Sequence, residues 1–241
     1  MCISRPTWGR TSNQIVRFWS DLEVHQVPQF RIALIHALTH SIVPINSAFE
    51  RLWPEAARQN LLDDSLSADL AANGGTLDEA MHQRFTTLAD YAIDSGAEAI
   101  LFTCSAFGSC IERVAQEHRS IPVLKPNEAM IAEAVAPGLP IGLIASFAPT
   151  LVSMPPEFPS DAQPRCALVA DAMTALNSGD MALHEQLVVD AARRLKAEGA
   201  GVIALAQFSM ARARDAVAAA TGLPVFTTPD SAIRLLKAKL S

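Results

Sequence analysis

Gly96-Ala97-Glu98-Ala99-Ile100-Leu101-Phe102-Thr103-Cys104-Ser105-Ala106 and Gly199-Ala200-Gly201-Val202-Ile203-Ala204-Leu205-Ala206-Gln207-Phe208-Ser209 are two versions of one pattern, 103 residues apart. Each opens on a glycine, runs through a short apolar strand and closes on a polar residue, Cys104 in the first and Gln207 in the second. Further matches follow in the same order. Ile121-Pro122-Val123 lines up with Leu223-Pro224-Val225 at an offset of 102, and Ile32-Ala33-Leu34-Ile35 with Ile141-Gly142-Leu143-Ile144 at 109. Three matches at near-constant spacing describe a chain built from one unit used twice.

Between the matched strands lie amphipathic stretches, which is the pattern of parallel βαβ units. Strands are expected at 32–36, 100–103, 123–125, 141–145, 202–206 and 225–227, with weaker ones at 59–62 and 165–169. Long helices are expected at 77–95 and 181–198, and shorter ones at 109–118, 127–135, 210–221 and 230–239. The expected fold is α/β, with two pseudo-symmetric lobes. Each lobe is a small parallel sheet flanked by helices, and the active site lies in the cleft between them. Lobe 1 is assigned to residues 29–138 and lobe 2 to 139–241, with the C-terminal helix able to pack back on lobe 1. Residues 1–28 are read as an N-terminal extension, in which Trp8, Phe18 and Trp19 could pack as an arm.

Composition narrows the function. Of 241 residues, 50% are hydrophobic and 18% charged, enough for a large core and wrong for a disordered chain. A formal net charge of −6 leaves no basic footprint for nucleic acid or an anionic membrane. No apolar run reaches the ~18 residues that span a bilayer, and no continuous apolar stretch suggests a secretory signal. Cysteines at 2, 104, 110 and 166 are too scattered for a disulfide scaffold or a metal knuckle. A cytoplasmic location is expected. Nucleotide, nicotinamide, serine-hydrolase and zincin motifs are missing as well.

In open parallel sheets, ligands sit beyond the carboxyl ends of the strands. The residues there are Thr39, His40 and Ser41, then Cys104, Ser105 and Ala106 in the first lobe. In the second they are Ser146 and Thr150, then Gln207, Phe208 and Ser209. Hydroxyls and backbone N–H groups of this kind hold anionic oxygens. Cys104, between a strand and a helix, is expected to have a lowered thiol pKa and to be the most readily alkylated cysteine. Position alone leaves open a second reading, a small buried hydrophobe. Cys110, inside the next helix, reads as core. His36 reads as a satisfied core histidine, His40 as a candidate second proton-transfer group, and His82, His118 and His184 as solvated helix-surface residues.

The two-lobed repeat and the Thr103-Cys104-Ser105-Ala106 turn resemble the aspartate/glutamate racemase superfamily, from Arg31 to the C-terminus. The superfamily includes aspartate, glutamate and hydantoin racemases, maleate isomerase and arylmalonate decarboxylase. The resemblance implies no cofactor and no metal. It also implies a small carboxylate or amino-acid substrate, met by two cysteines, one per lobe, that exchange protons with the α-carbon from opposite faces. Here the repeat puts Gln207 at the second position. An amide can hydrogen-bond a carboxylate but cannot act as the opposing base.

The expected activity is therefore a racemase or isomerase type of reaction at an α-carbon, with Cys104 as acid, base or nucleophile. The alternatives are a single-cysteine decarboxylase and a non-catalytic binder of small acids. Neither nucleic acid nor membrane is expected as a partner. A homo-oligomer is compatible with this organisation and is not specified by it.

Overall fold

The computed structural model describes residues 30–240. The N-terminal extension, with Trp8, Phe18, Trp19 and Cys2, lies outside the described residues. Two parallel four-stranded sheets follow one another along the chain. The first contains β1 (Arg31–His36), β2 (Ala57–Leu62), β3 (Ala99–Phe102) and β4 (Val123–Leu124), in the order β2-β1-β3-β4. The second contains β5 (Ile141–Ala145), β6 (Arg165–Leu168), β7 (Val202–Leu205) and β8 (Val225–Thr227), in the order β6-β5-β7-β8. The register repeats with the order. Ile32 pairs with Ala99 as Ile141 pairs with Val202, and Ile100 pairs with Val123 as Ile203 pairs with Val225.

The central strands β3, β5 and β7 are apolar throughout, and β1 is apolar between Arg31 and His36, because helices cover both faces of each sheet. The edge strands β2 and β6 are half-exposed and correspondingly mixed in sequence. Packing on β5 is tight: a Cβ at Gly142 would lie 3.0 Å from Leu195 Cδ1 and 3.1 Å from Ile203 Cδ1.

Among the described residues, ten helices flank the sheets. They are α1 (Ile42–Leu52), α2 (Ser65–Ala72), α3 (Glu79–Asp94), α4 (Gly108–Glu117), α5 (Glu128–Val135), α6 (Thr150–Ser153), α7 (Ala170–Asn177), α8 (Met181–Ala197), α9 (Arg214–Thr221) and α10 (Thr228–Leu240). The two long helices begin at aspartate caps. Asp78 accepts from the Met81 N–H at 2.9 Å, and Asp180 from the Leu183 N–H at 3.0 Å. Four helices, α1, α2, α6 and α7, fall outside the sequence expectation. In α1, Pro44 sits in the first turn, where its missing N–H has no intrahelical partner to lose. The helix expected at 210–221 is a 3₁₀ turn over Phe208–Ala213 followed by α9.

The strands divide between the sheets in the stretch from Leu124 to Ile141, but the helices do not. The α5 residues Met130, Ile131 and Ala134 pack on the second sheet, with Ile141, Leu143 and Val202. In return, the α10 residues Ala232, Ile233 and Leu236 pack on the first, with Ile32, Leu34, Phe49 and Trp53. Each lobe thus lends its last helix to the other. Phe208 goes the same way, inserting from lobe 2 into the lobe 1 cluster at 3% exposure. Buried Asp230 clasps the exchange, with Arg51 Nη2 at 2.7 Å and Arg214 Nε at 3.5 Å.

Phe208→Ala is expected to cost about 3–5 kcal/mol, because it empties a fully packed site. Urea unfolding measures this, and a loss below about 1 kcal/mol would show that the two lobes are not coupled through the ring.

His184 is not on a solvated surface, contrary to the sequence expectation. With Val188, Ala191, Ala192 and Leu195 it forms the inner stripe of α8, and it is fully buried. Its Nδ1 lies 2.8 Å from the Ala172 carbonyl oxygen of α7. His82 is half-buried, and His118 Nε2 lies 3.1 Å from an Asp90 carboxylate oxygen. Among the described residues, no helix is long and apolar enough to cross a membrane.

Candidate active site

The exchange of helices brings the carboxyl ends of the two sheets together crosswise. The Thr39–Ser41 turn after β1 meets the Phe208–Ala213 turn after β7, and α6, after β5, meets the Ser105–Phe107 turn after β3. The strand-end segments of both lobes therefore converge at one interface.

Cys104 and Gln207 occupy matching positions on the two sides. Each follows a central strand in extended conformation, Cys104 at φ −129°, ψ 121° and Gln207 at φ −134°, ψ 146°. Each also precedes a 3₁₀ turn rather than an α-helix. For Cys104 the α-helix begins only at Gly108, so the thiol does not sit at an α-helical N-terminus.

Burial reverses the expected shift of the thiol pKa. Burial pushes the Cys104 thiol above its ordinary pKa, and the Ala106 backbone N–H, which favours thiolate, offsets only part of the rise. Cys104 lines a crevice with Ile35, His36, Ala37, Leu66, Phe85 and Phe102 that has no space for a water molecule. Phe85 and Phe102 stack with centroids 5.2 Å apart and close its apolar side. Burial thus favours the protonated thiol over the thiolate.

The expected alkylation order changes with it. Cys110 is fully buried, and its pKa is pushed up to about 11, chiefly by desolvation. Cys166 lies on the edge strand β6 and is exposed. Iodoacetamide at neutral pH is expected to label Cys166 before Cys104, and Cys110 last, read by peptide mass spectrometry. Labelling of Cys104 ahead of Cys166 would mean that its thiolate is populated after all.

Beside the thiol, His36 is buried and doubly bonded. Its Nδ1 lies 2.9 Å from Thr103 Oγ1 and its Nε2 3.0 Å from Asn60 Oδ1, which also accepts from Asn46 Nδ2 at 2.9 Å. With the amide oxygen as acceptor, Nε2 carries the proton and Nδ1 accepts from the threonine hydroxyl. Burial holds the imidazole below its ordinary pKa, although the Asn60 bond raises it. This neutral ring ties the Thr103-Cys104 turn to β1 and β2. Asn60 and Asn46 escaped the sequence reading, because only the β1–β2 pairing brings them to His36.

In lobe 2, Gln207 Oε1 accepts from the Ser146 backbone N–H at 2.6 Å and from the Ser146 hydroxyl at 2.9 Å. The amide oxygen is thereby fixed, leaving its NH₂ group as the donor for a ligand. Ser146, Thr150, Ser209 and Ser41 are buried, Ser105 and Ala106 are half-buried, and Thr39 is exposed. Phe208 is committed to the core described above. His40 is exposed, and its Nε2 lies 2.9 Å from Asn177 Oδ1 of α7, so it bridges the lobes. Among the described residues, no group of three or more His, Cys, Asp or Glu is placed to hold a metal ion. Lys125 Nζ lies 2.9 Å from Glu112 Oε1, an ion pair on the lobe 1 surface.

The comparisons with known proteins agree with this architecture. An aspartate racemase from Picrophilus torridus is similar over 88% of this chain and 94% of its own, with a TM-score of 0.65 at 10% identity. A glutamate racemase from Thermus thermophilus, in complex with beta-chloro-D-alanine, is similar over 88% and 82%, with a TM-score of 0.63 at 19% identity. An arylmalonate decarboxylase mutant in a sulfate-associated form is similar over 87% and 92%, with a TM-score of 0.60 at 15% identity. At these identities the likeness is one of fold. No curated protein matches the chain. The family model described as Asp/Glu/hydantoin racemase matches residues 45–236, which takes in β2 to β8 and the positions of Cys104 and Gln207. The chain belongs to the Asp/Glu/hydantoin racemase family.

Proposed function

We propose that this chain is a cofactor-independent enzyme that delivers a proton to one face of the α-carbon of a small carboxylate, with Cys104 as the acid. The observation that carries the reading is the asymmetry of the matched strand ends. One bears an acid–base group, and the other an amide whose oxygen is already held by Ser146. Hydroxyls and N–H groups of the strand-end turns stabilise the enediolate, and the Gln207 NH₂ donates to a carboxylate oxygen.

The enediolate can arise by loss of a proton or of carbon dioxide. A thiol held protonated by burial favours the second route, since no base is needed for carbon dioxide to leave. In that sequence the C–C bond breaks and its electron pair passes into the enediolate. The thiol proton then forms the new C–H bond, and the thiolate recovers a proton from water. A two-faced racemase needs a base opposite Cys104, and Gln207 supplies none.

The test is a panel of α-substituted carboxylates and malonates in deuterated water, followed by NMR and chiral chromatography. The expected product carries deuterium at the α-carbon in a single configuration. A racemic, doubly exchanged product would overturn the one-face mechanism, and no exchange or carbon dioxide release from any acid would overturn the enzyme reading.

A further inference from the structure

Ten large apolar side chains are exposed among the described residues, and they are not spread evenly. Tyr91 and Leu139 stand near the amino ends of strands. Six others stand at carboxyl ends or in the first turns beyond them, and they form three pairs related by the internal repeat. The 109-residue offset that carries β1 onto β5 also carries Leu38 onto Phe147 and Val43 onto Val152. Leu62 and Leu168 pair in register with His36 and Ala145, which the same offset relates. These six side chains are 42% to 76% exposed, so core packing does not account for them. Apolar exposure gathered at the strand ends, where the two lobes converge, marks a binding surface.

Their neighbours say which one. Leu38 follows Ala37, which lines the Cys104 crevice, and Phe147 follows Ser146, which holds Gln207. The strand-end segments 36–41, 103–107, 145–150 and 206–209 contain no lysine, arginine, aspartate or glutamate. Of their two histidines, His36 has both ring nitrogens bonded and His40 is bonded to Asn177. A charged substituent entering here would lose its hydration without meeting an opposite charge from these segments. An apolar substituent would gain about fourfold in affinity per buried CH₂.

We propose that this paired apolar rim is the specificity element of the site, selecting acids whose α-carbon carries an apolar substituent over acids with a charged one. The proposal rests on the reading of Cys104 given above and adds the substrate class.

Two acids of equal chain length separate the alternatives: 2-methylhexanoate and 2-methyladipate, which exchanges the terminal methyl for a carboxylate. Calorimetric titration of the full chain is expected to show the first bound at least tenfold more tightly. Val43→Asp and Val152→Asp lie on exposed positions and should fold normally, as a thermal melt verifies. Each is expected to weaken 2-methylhexanoate at least tenfold and to bring the ratio near one. The proposal is overturned if 2-methyladipate binds as tightly, if neither acid binds, or if both variants bind 2-methylhexanoate within twofold of wild type. It is overturned too if the rim holds copies of the chain together, seen as an oligomer that both variants dissociate without altering acid binding. Deuterium exchange is read separately. Rim-dependent binding with no exchange or decarboxylation of any acid would refute the catalytic reading and leave the rim's selectivity standing.

Discussion

Cys104→Ala is expected to reduce turnover of the true substrate by about 10²–10⁴-fold, the usual contribution of one positioned acid or base. The fold should survive, because Cys104 is half-buried and its crevice is already closed by Phe85 and Phe102. Binding should survive as well, since the proposed mechanism gives the carboxylate to strand-end donors and not to the sulfur. The loss therefore belongs in kcat, with little change in KM. Cys104→Ser should not rescue it. A serine hydroxyl keeps a hydrogen-bond donor in place, but its far higher pKa makes it a poor proton donor to carbon. Steady-state kinetics with deuterium incorporation at the α-carbon measure both variants, and thermal melts verify the fold. A Cys104→Ala protein that turns over within tenfold of wild type would make the thiol a packing residue.

The sequence pattern reveals the fold where burial is symmetric. Strands covered on both faces, such as Ala99–Phe102 and Val202–Leu205, are continuous apolar runs, and their likeness exposes the repeat. The edge strands Ala57–Leu62 and Arg165–Leu168 are partly solvated, which dilutes the signal and blurs their ends. The stripe of His184 with Val188, Ala191 and Leu195 is written in α8 at helical spacing. It was hidden only because a histidine reads as polar, although one Nδ1 contact to Ala172 suits it to the interior.

The positions of Cys104 and Gln207 follow from the same repeat, but the state of the thiol does not. Whether a strand-end cysteine is thiol or thiolate depends on what covers it. Here Leu66, Phe85 and Phe102 come from three separate elements. The gap between Cys104 and α4 is in the sequence expectation of a helix at 109–118, but the 3₁₀ form of the turn that fills it is not. The rim was within reach: extending the match of Ile32 with Ile141 by a few residues aligns Leu38 with Phe147 and Val43 with Val152.

Gln207→Cys is expected to convert one-face chemistry into racemisation. The backbone at 207 already has the extended geometry found at Cys104, so the new thiol would occupy the equivalent place in the second lobe. Its surroundings differ in a useful way. The Ser146 N–H and hydroxyl, which now donate to Gln207 Oε1, would be freed, and unpaired donors close to a thiol favour thiolate. Cys104, held protonated by burial, would then face a base: one group removes the α-proton and the other replaces it from the opposite side. The variant should exchange the α-proton of a chiral product that wild type leaves in one configuration, at a rate at least about 10²-fold above the wild-type background. Chiral chromatography over time, paired with deuterium content, measures it. Adding Cys104→Ala to Gln207→Cys should abolish the new activity, since a lone thiol serves only one face. If racemisation persists in that double variant, the second group lies elsewhere, and the pairing of 104 with 207 across the interface is not the one that acts on substrate.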